Sequence, residues 1–309
     1  MNNTFIYTYN ARAEEESLCA LELRAFFVEE GSGGSLRSSI SLDPGRSPFL
    51  KEKIEVLYES ATWEALLEKL RAHPPLTASF KVQFVKNHAL PTSFEDRKQR
   101  EIAAAGMLDG KINLADPAHL FAIFPAQNSW VFGPLTCGSS AWKKQEQKPH
   151  SYSTALPVRV ARSAANIAVP NPSGIYAIDP CCGIGTVVIE ARSMGIQMDG
   201  SDVNPKVMYG LRKNLSHFGF APDTALQDMR MIEKSYDAAV IDMPYNLCSV
   251  LPEETKLEML QSARNFTQRL VIITIEPLDH LLKKAGFAII DRGTAGKNKM
   301  FSREILVCE

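Results

Sequence analysis

The sequence predicts an α/β protein: a doubly wound parallel sheet over the C-terminal half, preceded by smaller α+β units. Three observations carry this. From Tyr152 onward, short apolar runs alternate with segments of helical period, the pattern of strand–helix–strand units. Four of those runs end in an aspartate: Asp179, Asp202, Asp228 and Asp242. Ahead of them, strand-like and helical segments are grouped without that alternation. The chain of 309 residues is long enough for two or three domains. With 45% hydrophobic and 22% charged residues, dominant disorder is excluded.

The elements follow in order. Thr4–Tyr9 reads as a short strand, and Glu14–Phe27 carries apolar residues at helical spacing. Gly31–Ser35 is a loop and Ile54–Tyr58 alternates like a strand. Thr62 is placed to cap a helix that runs to Arg71 and stops before Pro74-Pro75. Ser79–Val85 is a clean strand, Glu95–Leu108 a helix, Leu114–Pro117 a turn, and His119–Pro125 and Ser129–Gly133 two strands. Trp142–His150, charged and rich in glutamine, reads as a linker.

In the C-terminal half, Val158–Ala168 is a helix with one apolar face. Ile175–Ile178 is a buried strand that leads into Asp179-Pro180-Cys181-Cys182-Gly183-Ile184-Gly185. Helix Thr186–Met194, strand Gln197–Gly200 ending at Asp202, and helix Lys206–Phe218 come next. Strands Thr224–Gln227 and Tyr236–Ile241 precede Asp228 and Asp242. Helix Glu254–Asn265, strand Arg269–Ile275 and helix Leu278–Ala285 lead to a terminal hairpin of Ala288–Arg292 with Ser302–Val307.

No apolar run reaches the ~20 residues of a membrane span. The first residues turn acidic before an apolar core develops, which argues against a secretory signal and for the cytoplasm. The six cysteines form no Cys-x-x-Cys pair, so no metal site and no disulfide framework is expected. Net charge is −1, yet residues 63–160 hold 12 Lys/Arg against 8 Asp/Glu, whereas residues 1–62 hold 6 against 10. A basic middle block is a weak footprint for nucleic acid.

Ligands of open α/β sheets bind at the carboxyl ends of the strands, beside the point where strand order reverses. The four aspartates would line that edge. Gly183 and Gly185 let the backbone of the first turn approach a ligand, having no Cβ to clash. The turn is neither Gly-x-Gly-x-x-Gly nor a phosphate-binding loop, which disfavours dinucleotides and ATP. Asp202, nineteen residues after Gly183, can accept from both hydroxyls of a ribose. Asp228 can accept from an adenine amino group. The ligand implied is an adenosine without pyrophosphate.

Residues Asp179–Gly219 resemble the cofactor half of the class I methyltransferases that use S-adenosylmethionine. Asp242-Met243-Pro244-Tyr245 resembles the (Asp/Asn)-Pro-Pro-Tyr motif of enzymes that methylate an amino group conjugated to a π-system. Such a nitrogen is a poor nucleophile because its lone pair is delocalised. A carboxylate and a main-chain carbonyl that both accept from it favour pyramidalisation. The proline stiffens the loop, and the tyrosine offers a stacking face worth roughly 1–3 kcal/mol. The resemblance thus implies that Asp242 and the Met243 carbonyl take the amino hydrogens, Pro244 holds the loop and Tyr245 holds the ring. It implies cofactor contacts from Ser153, Thr154, Leu156, Asp179, Pro180, Cys182, Gly183, Gly185, Thr186, Asp202, Val203, Asp228 and Met229.

The segment His150–Ala168 narrows this. Ser153, Pro157, Ala161, Arg162 and Asn166, spaced Ser-x-x-x-Pro-x-x-x-Ala-Arg-x-x-x-Asn, resemble the segment that precedes the catalytic domain in the THUMP-domain tRNA guanine-N2 methyltransferases. Phe80-Lys81-Val82, Arg97, Arg100-Glu101-Ile102, Lys111–Pro117 and Trp130–Gly133 are similar to THUMP landmarks. The resemblance implies a ferredoxin-like unit (1–62), a THUMP-like RNA-binding domain (63–141), a linker (142–157) and a Rossmann-like methyltransferase domain (158–309). It implies tRNA as partner, with Lys81, Lys86, Arg97, Lys98, Arg100, Lys143, Lys144 and Lys148 as candidates for phosphate contact. Trp63, Trp130 and Trp142 read as packing residues, with Trp142 also placed to touch RNA from the linker. Related enzymes differ in whether they need a small activating subunit, and the sequence leaves this open.

Two departures stand out: Met243 replaces the first proline, and Cys181 stands where an aromatic residue is common. The function implied is formation of N2-methylguanosine in tRNA. Adenine-N6 and protein glutamine-N5 methylation use the same motif and remain alternatives. A non-catalytic RNA-binding scaffold is a third, of another class.

Overall fold

The computed structural model describes residues 3–152, 155–244, 251–298 and 301–309. Two compact units form: Met1–Asn10 with Glu30–Ser139, and Ala11–Glu29 with Ser140–Glu309. Strand β1 (Phe5–Tyr9) belongs to the first and helix α1 (Glu16–Phe27) to the second.

The first unit continues with β2 (Ser35–Ser38), β3 (Leu50–Glu55), β4 (Tyr58–Ser60), α2 (Trp63–Arg71), β5 (Phe80–Phe84), α3 (Phe94–Met107), β6 (His119–Pro125) and β7 (Trp130–Cys137). One sheet runs in the order β2-β1-β3-β7-β6-β5, with β4 also paired to β7. Only β5 and β6 are parallel among these pairs. Phe80, Val82 and Phe84 alternate inward and pack with Leu66 and Leu70 of α2 and Ala104 of α3. Thr62 caps α2 by accepting from the Ala65 N–H at 3.2 Å, and Ser93 caps α3 by accepting from Asp96 N–H at 3.0 Å. The sheet is continuous across the 62/63 boundary expected from the sequence.

The second unit contains α1, α4 (Val158–Ala168), β8 (Tyr176–Asp179), α5 (Thr186–Ser193), β9 (Gln197–Asp202), α6 (Pro205–His217), β10 (Ala225–Leu226), β11 (Tyr236–Asp242), α7 (Glu253–Phe266), β12 (Thr267–Thr274), α8 (Asp279–Lys284), β13 (Ile289–Asn298) and β14 (Phe301–Cys308). Its sheet order is β10-β9-β8-β11-β12-β14-β13. The first five strands are parallel, and the β13–β14 hairpin adds antiparallel to β12. Ala238–Ile241 and Leu270–Ile273 are buried throughout, as parallel strands covered on both faces require. Strand order reverses at β8, which places the switch point between β8 and β11.

Three expectations are corrected here. Helix α1 is not part of the first unit: it packs on α4 and β13, where buried Glu22 accepts from Asn166 Nδ2 at 2.8 Å and Arg24 pairs with Asp291 at 2.8 Å. The stretch read as a linker begins with a 3-10 turn, Ala141–Glu146, whose Trp142 is buried beneath Arg159. Trp142 therefore packs and does not present its ring to RNA. Strand Thr224–Gln227 shortens to two residues, because Asp228 already caps the next 3-10 turn through the Arg230 N–H.

Candidate functional site

The site lies in the second unit, at the carboxyl ends of its parallel strands. A cavity of about 690 Å³ is lined there by Tyr152, Pro180, Cys181, Gly183, Asp202–Asn204, Val207, Asp228–Arg230, Asp242–Pro244, Leu251, Thr255 and Met259. This is within the size range of small-molecule sites. Asp179, Asp202 and Asp242 are the last residues of β8, β9 and β11.

The turn after β8 is shaped by two left-handed glycines, Gly183 at φ +52° and Gly185 at φ +84°. A Cβ on Gly183 would lie 2.4 Å from Tyr152 Oη, and one on Gly185 would lie 2.4 Å from Leu211 Cδ1. A side chain at either position would adopt a strained left-handed backbone and would force the tip of Tyr152 or Leu211 to move. The Gly183 N–H donates to Asp202 Oδ2 at 2.8 Å, and the Asn204 N–H donates to Asp202 Oδ1 at 2.8 Å. Each Asp202 oxygen keeps further acceptor capacity toward the cavity.

Asp228 lines the cavity and is engaged by a neighbour in the wall. Its carboxylate is held by Arg230, with Nη2 to Oδ2 at 2.8 Å and Nε to Oδ1 at 3.1 Å. Arg230 also reaches Glu258 of α7 at 2.8 Å. The hydrogen-bonded Arg230 guanidinium holds the Asp228 carboxyl below the ordinary carboxylate range.

Asp242 is the reverse case. Its Oδ1 is buried and has no hydrogen-bond partner among the described residues. Burial pushes its carboxyl up to about 7, with Arg303 acting in the opposite direction. The Met243 N–H donates to Ile273 O at 2.9 Å, which fixes the strand's exit without a proline at that position. Burial and the Asp202, Asp242 and Asp179 charges push the Tyr152 phenol up to about 12.

Of the residues expected to hold a cofactor, Pro180, Gly183, Asp202, Val203, Asp228 and Met229 line the cavity, and of the catalytic set so do Asp242, Met243 and Pro244. Leu156, Asp179, Cys182, Gly185 and Thr186 are not among the lining residues. Asp179 is buried behind the wall and accepts from the Cys181 N–H at 3.2 Å. Ser153, Thr154 and Tyr245 lie outside the described residues. Tyr152 and Arg230 belong to the wall and were not singled out from sequence. Tyr152 directly precedes the matched Ser153, and Arg230 lies two residues past Asp228, so adjacency was the available signal.

Among the phosphate candidates, Lys86, Lys143 and Lys144 are exposed. Lys81 donates to Leu114 O at 3.3 Å, Arg97 to Ser93 O at 3.2 Å, and Lys98 pairs with Glu101 at 2.7 Å. Arg100 stands over the rings of Trp63 and Trp130, at 4.8 and 4.3 Å. Lys148 is turned inward: burial lowers its ammonium pKa, and Nζ donates to Gln145 O at 3.3 Å. Among the described residues, no helix is long and apolar enough to cross a membrane and no side-chain cluster fits a metal ion.

A five-stranded parallel sheet with an antiparallel hairpin at one edge, a glycine turn after its first strand and carboxylates ending the next strands form a Rossmann-like domain, as the resemblance to class I methyltransferases implies. No protein-family model matches the chain. It is 28% identical over 179 residues to tRNA (guanine(10)-N2)-dimethyltransferase of Methanothermobacter thermautotrophicus, covering 54% of this chain and 52% of that protein. It is 25% identical over 214 residues to the protein of the same name from Pyrococcus abyssi, covering 64% of each. The chain spans about half to two thirds of the length of these curated relatives. They bear out the resemblance to tRNA guanine-N2 methyltransferases. The crystal structure of TrmN from Thermus thermophilus aligns over 99% of both chains at 19% identity, with a TM-score of 0.47.

Proposed function

We propose that this chain is an S-adenosylmethionine-dependent methyltransferase that forms N2-methylguanosine in tRNA. The observation that carries this is Asp242: a buried carboxylate oxygen without a partner among the described residues, at the end of β11, beside Met243 and Pro244. A buried acceptor left open costs stability. A conjugated amino group brought into the cavity would satisfy it.

The residues present fit the cofactor. Asp202 has acceptor capacity for ribose hydroxyls, and the Gly183 turn adds no side chain of its own to the cavity. Pro180, Val203 and Met229 add wall around an adenosine. Bound there, S-adenosylmethionine supplies an electrophilic methyl group. The chain's own residues hold and orient: Asp242 Oδ1 and the Met243 carbonyl accept from the guanine amino group, which frees its lone pair for attack, and Pro244 stiffens the loop. Tyr245 is proposed to stack on the base. In this reading Asp228 keeps its adenine role only with the oxygen capacity that Arg230 leaves.

The first unit is proposed as the THUMP-like RNA-binding part, with Lys81, Lys86, Arg97, Lys98 and Arg100 as candidate phosphate contacts; Lys143 and Lys144, exposed in the second unit, are further candidates. A tRNA substrate would be met in the cytoplasm, which is the proposed setting. Relatives that carry a tRNA-modifying name support tRNA as substrate.

The test is methyl transfer from labelled S-adenosylmethionine to unmodified tRNA, followed by digestion to nucleosides. Label in N2-methylguanosine is expected, and Asp242→Ala should bind cofactor but not turn over. Label in N6-methyladenosine, or in a glutamine of a protein, would replace the guanine reading. Cofactor bound with no label on any of these would leave a scaffold.

A further inference from the structure

Asp242 must accept a proton as well as hold a hydrogen bond if it serves the proposed reaction. An amino nitrogen that has gained a methyl group carries one proton more than the neutral product, and that proton needs an acceptor. A carboxyl already protonated can still hold the amino group but cannot take it. What sets the charge of Asp242 therefore matters to the chemistry.

The sheet register points to the group responsible. Asp242 of β11 lies opposite Ile273 of β12, and Ile273 lies opposite Ile305 of β14. Side chains at paired positions share a face, and so does the residue two positions away. Arg303, two residues before Ile305, thus stands on the same face of the sheet as Asp242. It lies beyond the carboxyl ends of the parallel strands, and its side chain is buried. We propose that Arg303 is the positioning residue that keeps Asp242 ionised as the proton acceptor for the methylated amine. The proposal rests on the amino-methylation reading of the cavity.

The other charged groups described around Asp242 are of its own sign or engaged with carboxylates: Arg230, in the same cavity wall, pairs with Asp228 and Glu258. Asp179 and Asp202, at the ends of β8 and β9, carry the same sign. Tyr152 and Cys181 feel the Asp242 charge and are neutral when protonated. On α4, Arg159 pairs with Glu15 and Arg162 with Glu190. On α7, Lys256 pairs with Glu276. On the hairpin itself, Glu304 pairs with Arg292. Burial pushes the Asp242 carboxyl up to about 7, and Arg303 is the charge that opposes it. A group poised near the operating pH is suited to take a proton.

The test uses the full chain carrying 13C-labelled aspartate, with the Asp242 carboxyl resonance assigned by Asp242→Asn. Its titration is compared in the unsubstituted chain, Arg303→Gln and Arg303→Lys. The midpoint is expected to rise by about one to three units in Arg303→Gln and by less in Arg303→Lys, which keeps the charge should Gln disturb folding. Identical midpoints in all three overturn the proposal. The acid limb of the pH–rate profile for tRNA methylation should move by the same amount. A midpoint that moves while no tRNA is methylated would overturn the methyl-transfer reading and the proton-acceptor role with it. A midpoint that moves while the rate profile stays fixed would overturn the proton-acceptor role alone.

Discussion

Asp202 at the end of β9 accepts the N–H of Gly183 at 2.8 Å, across nineteen residues of sequence. The same carboxylate therefore fixes the glycine turn and faces the cavity. Asp202→Ala is expected to lower S-adenosylhomocysteine affinity at least about tenfold, which corresponds to ~1.4 kcal/mol. Asp202→Asn should fall between, since its amide oxygen still accepts one N–H. Calorimetric titration gives both values; an Ala variant with unchanged affinity would confine Asp202 to the turn.

Gly183 tests space against backbone strain. A Cβ would meet Tyr152 Oη at 2.4 Å but the ring carbon that bears it only at 3.6 Å. Gly183→Ala should weaken cofactor binding. Adding Tyr152→Phe should recover part of the loss by removing the oxygen. The left-handed φ of +52° leaves a residual cost of about 1–2 kcal/mol. No recovery in the double variant would assign the whole effect to the backbone.

Asp242 should cost stability where it is charged. Its folded carboxyl, raised to about 7, lies above the ordinary value of 3.8. Between those values the native state binds more protons than the unfolded chain, so stability falls as pH rises through that window. Asp242→Asn removes this dependence. Thermal melts should show a higher Tm than the unsubstituted chain at pH 8, by up to roughly ten degrees, and little difference at pH 4. Turnover should be reduced in the same variant. An equal Tm difference at both pH values would contradict the assignment.

Arg162 of α4 and Glu190 of α5 form a buried pair at 2.8 Å, with Arg162 also donating to Ser193 Oγ at 3.0 Å. Burial drives the Glu190 carboxyl up to about 7 even with that guanidinium beside it. Arg162→Ala leaves Glu190 without this counter-charge and should destabilise the second unit by about 3–5 kcal/mol. Arg162→Ala with Glu190→Gln should be milder than Arg162→Ala alone. Denaturant melts measure both, and a single variant no worse than the double would remove the coupling.

Much of the second unit was legible because its strands are short, wholly apolar and end in aspartate. Ala238–Ile241 cannot be mistaken for a surface segment, and Asp242 marks where burial stops. Phe80–Phe84 was legible from strict alternation. Ser35–Ser38 was not: its residues have little preference for strands, and its pairing comes from main-chain bonds to β1. The apolar stripe of α1 predicts a buried face without saying which sheet covers it. At the site, the glycine turn and three of the four aspartates were readable from spacing. Arg230 folding back on Asp228 depends on a side-chain rotamer, and the relation of Arg303 to Asp242 depends on two strand pairings across sixty-one positions.

The assignment of α1 has a consequence for synthesis on the ribosome. The chain enters the second unit at Ala11, leaves it after Glu29 and returns at Ser140. Helix α1 therefore emerges long before α4 and β13, the elements that cover its apolar side, have been translated. During that interval Leu18, Leu21 and Leu23 have no native neighbours, and neither does Glu22. A fragment beginning at Ser140 would carry the inverse defect, exposing Asn166 and the face of α4 where the helix docks. Neither unit is a contiguous stretch of the gene, so a useful dissection would reconnect α1 to the later segment through a linker.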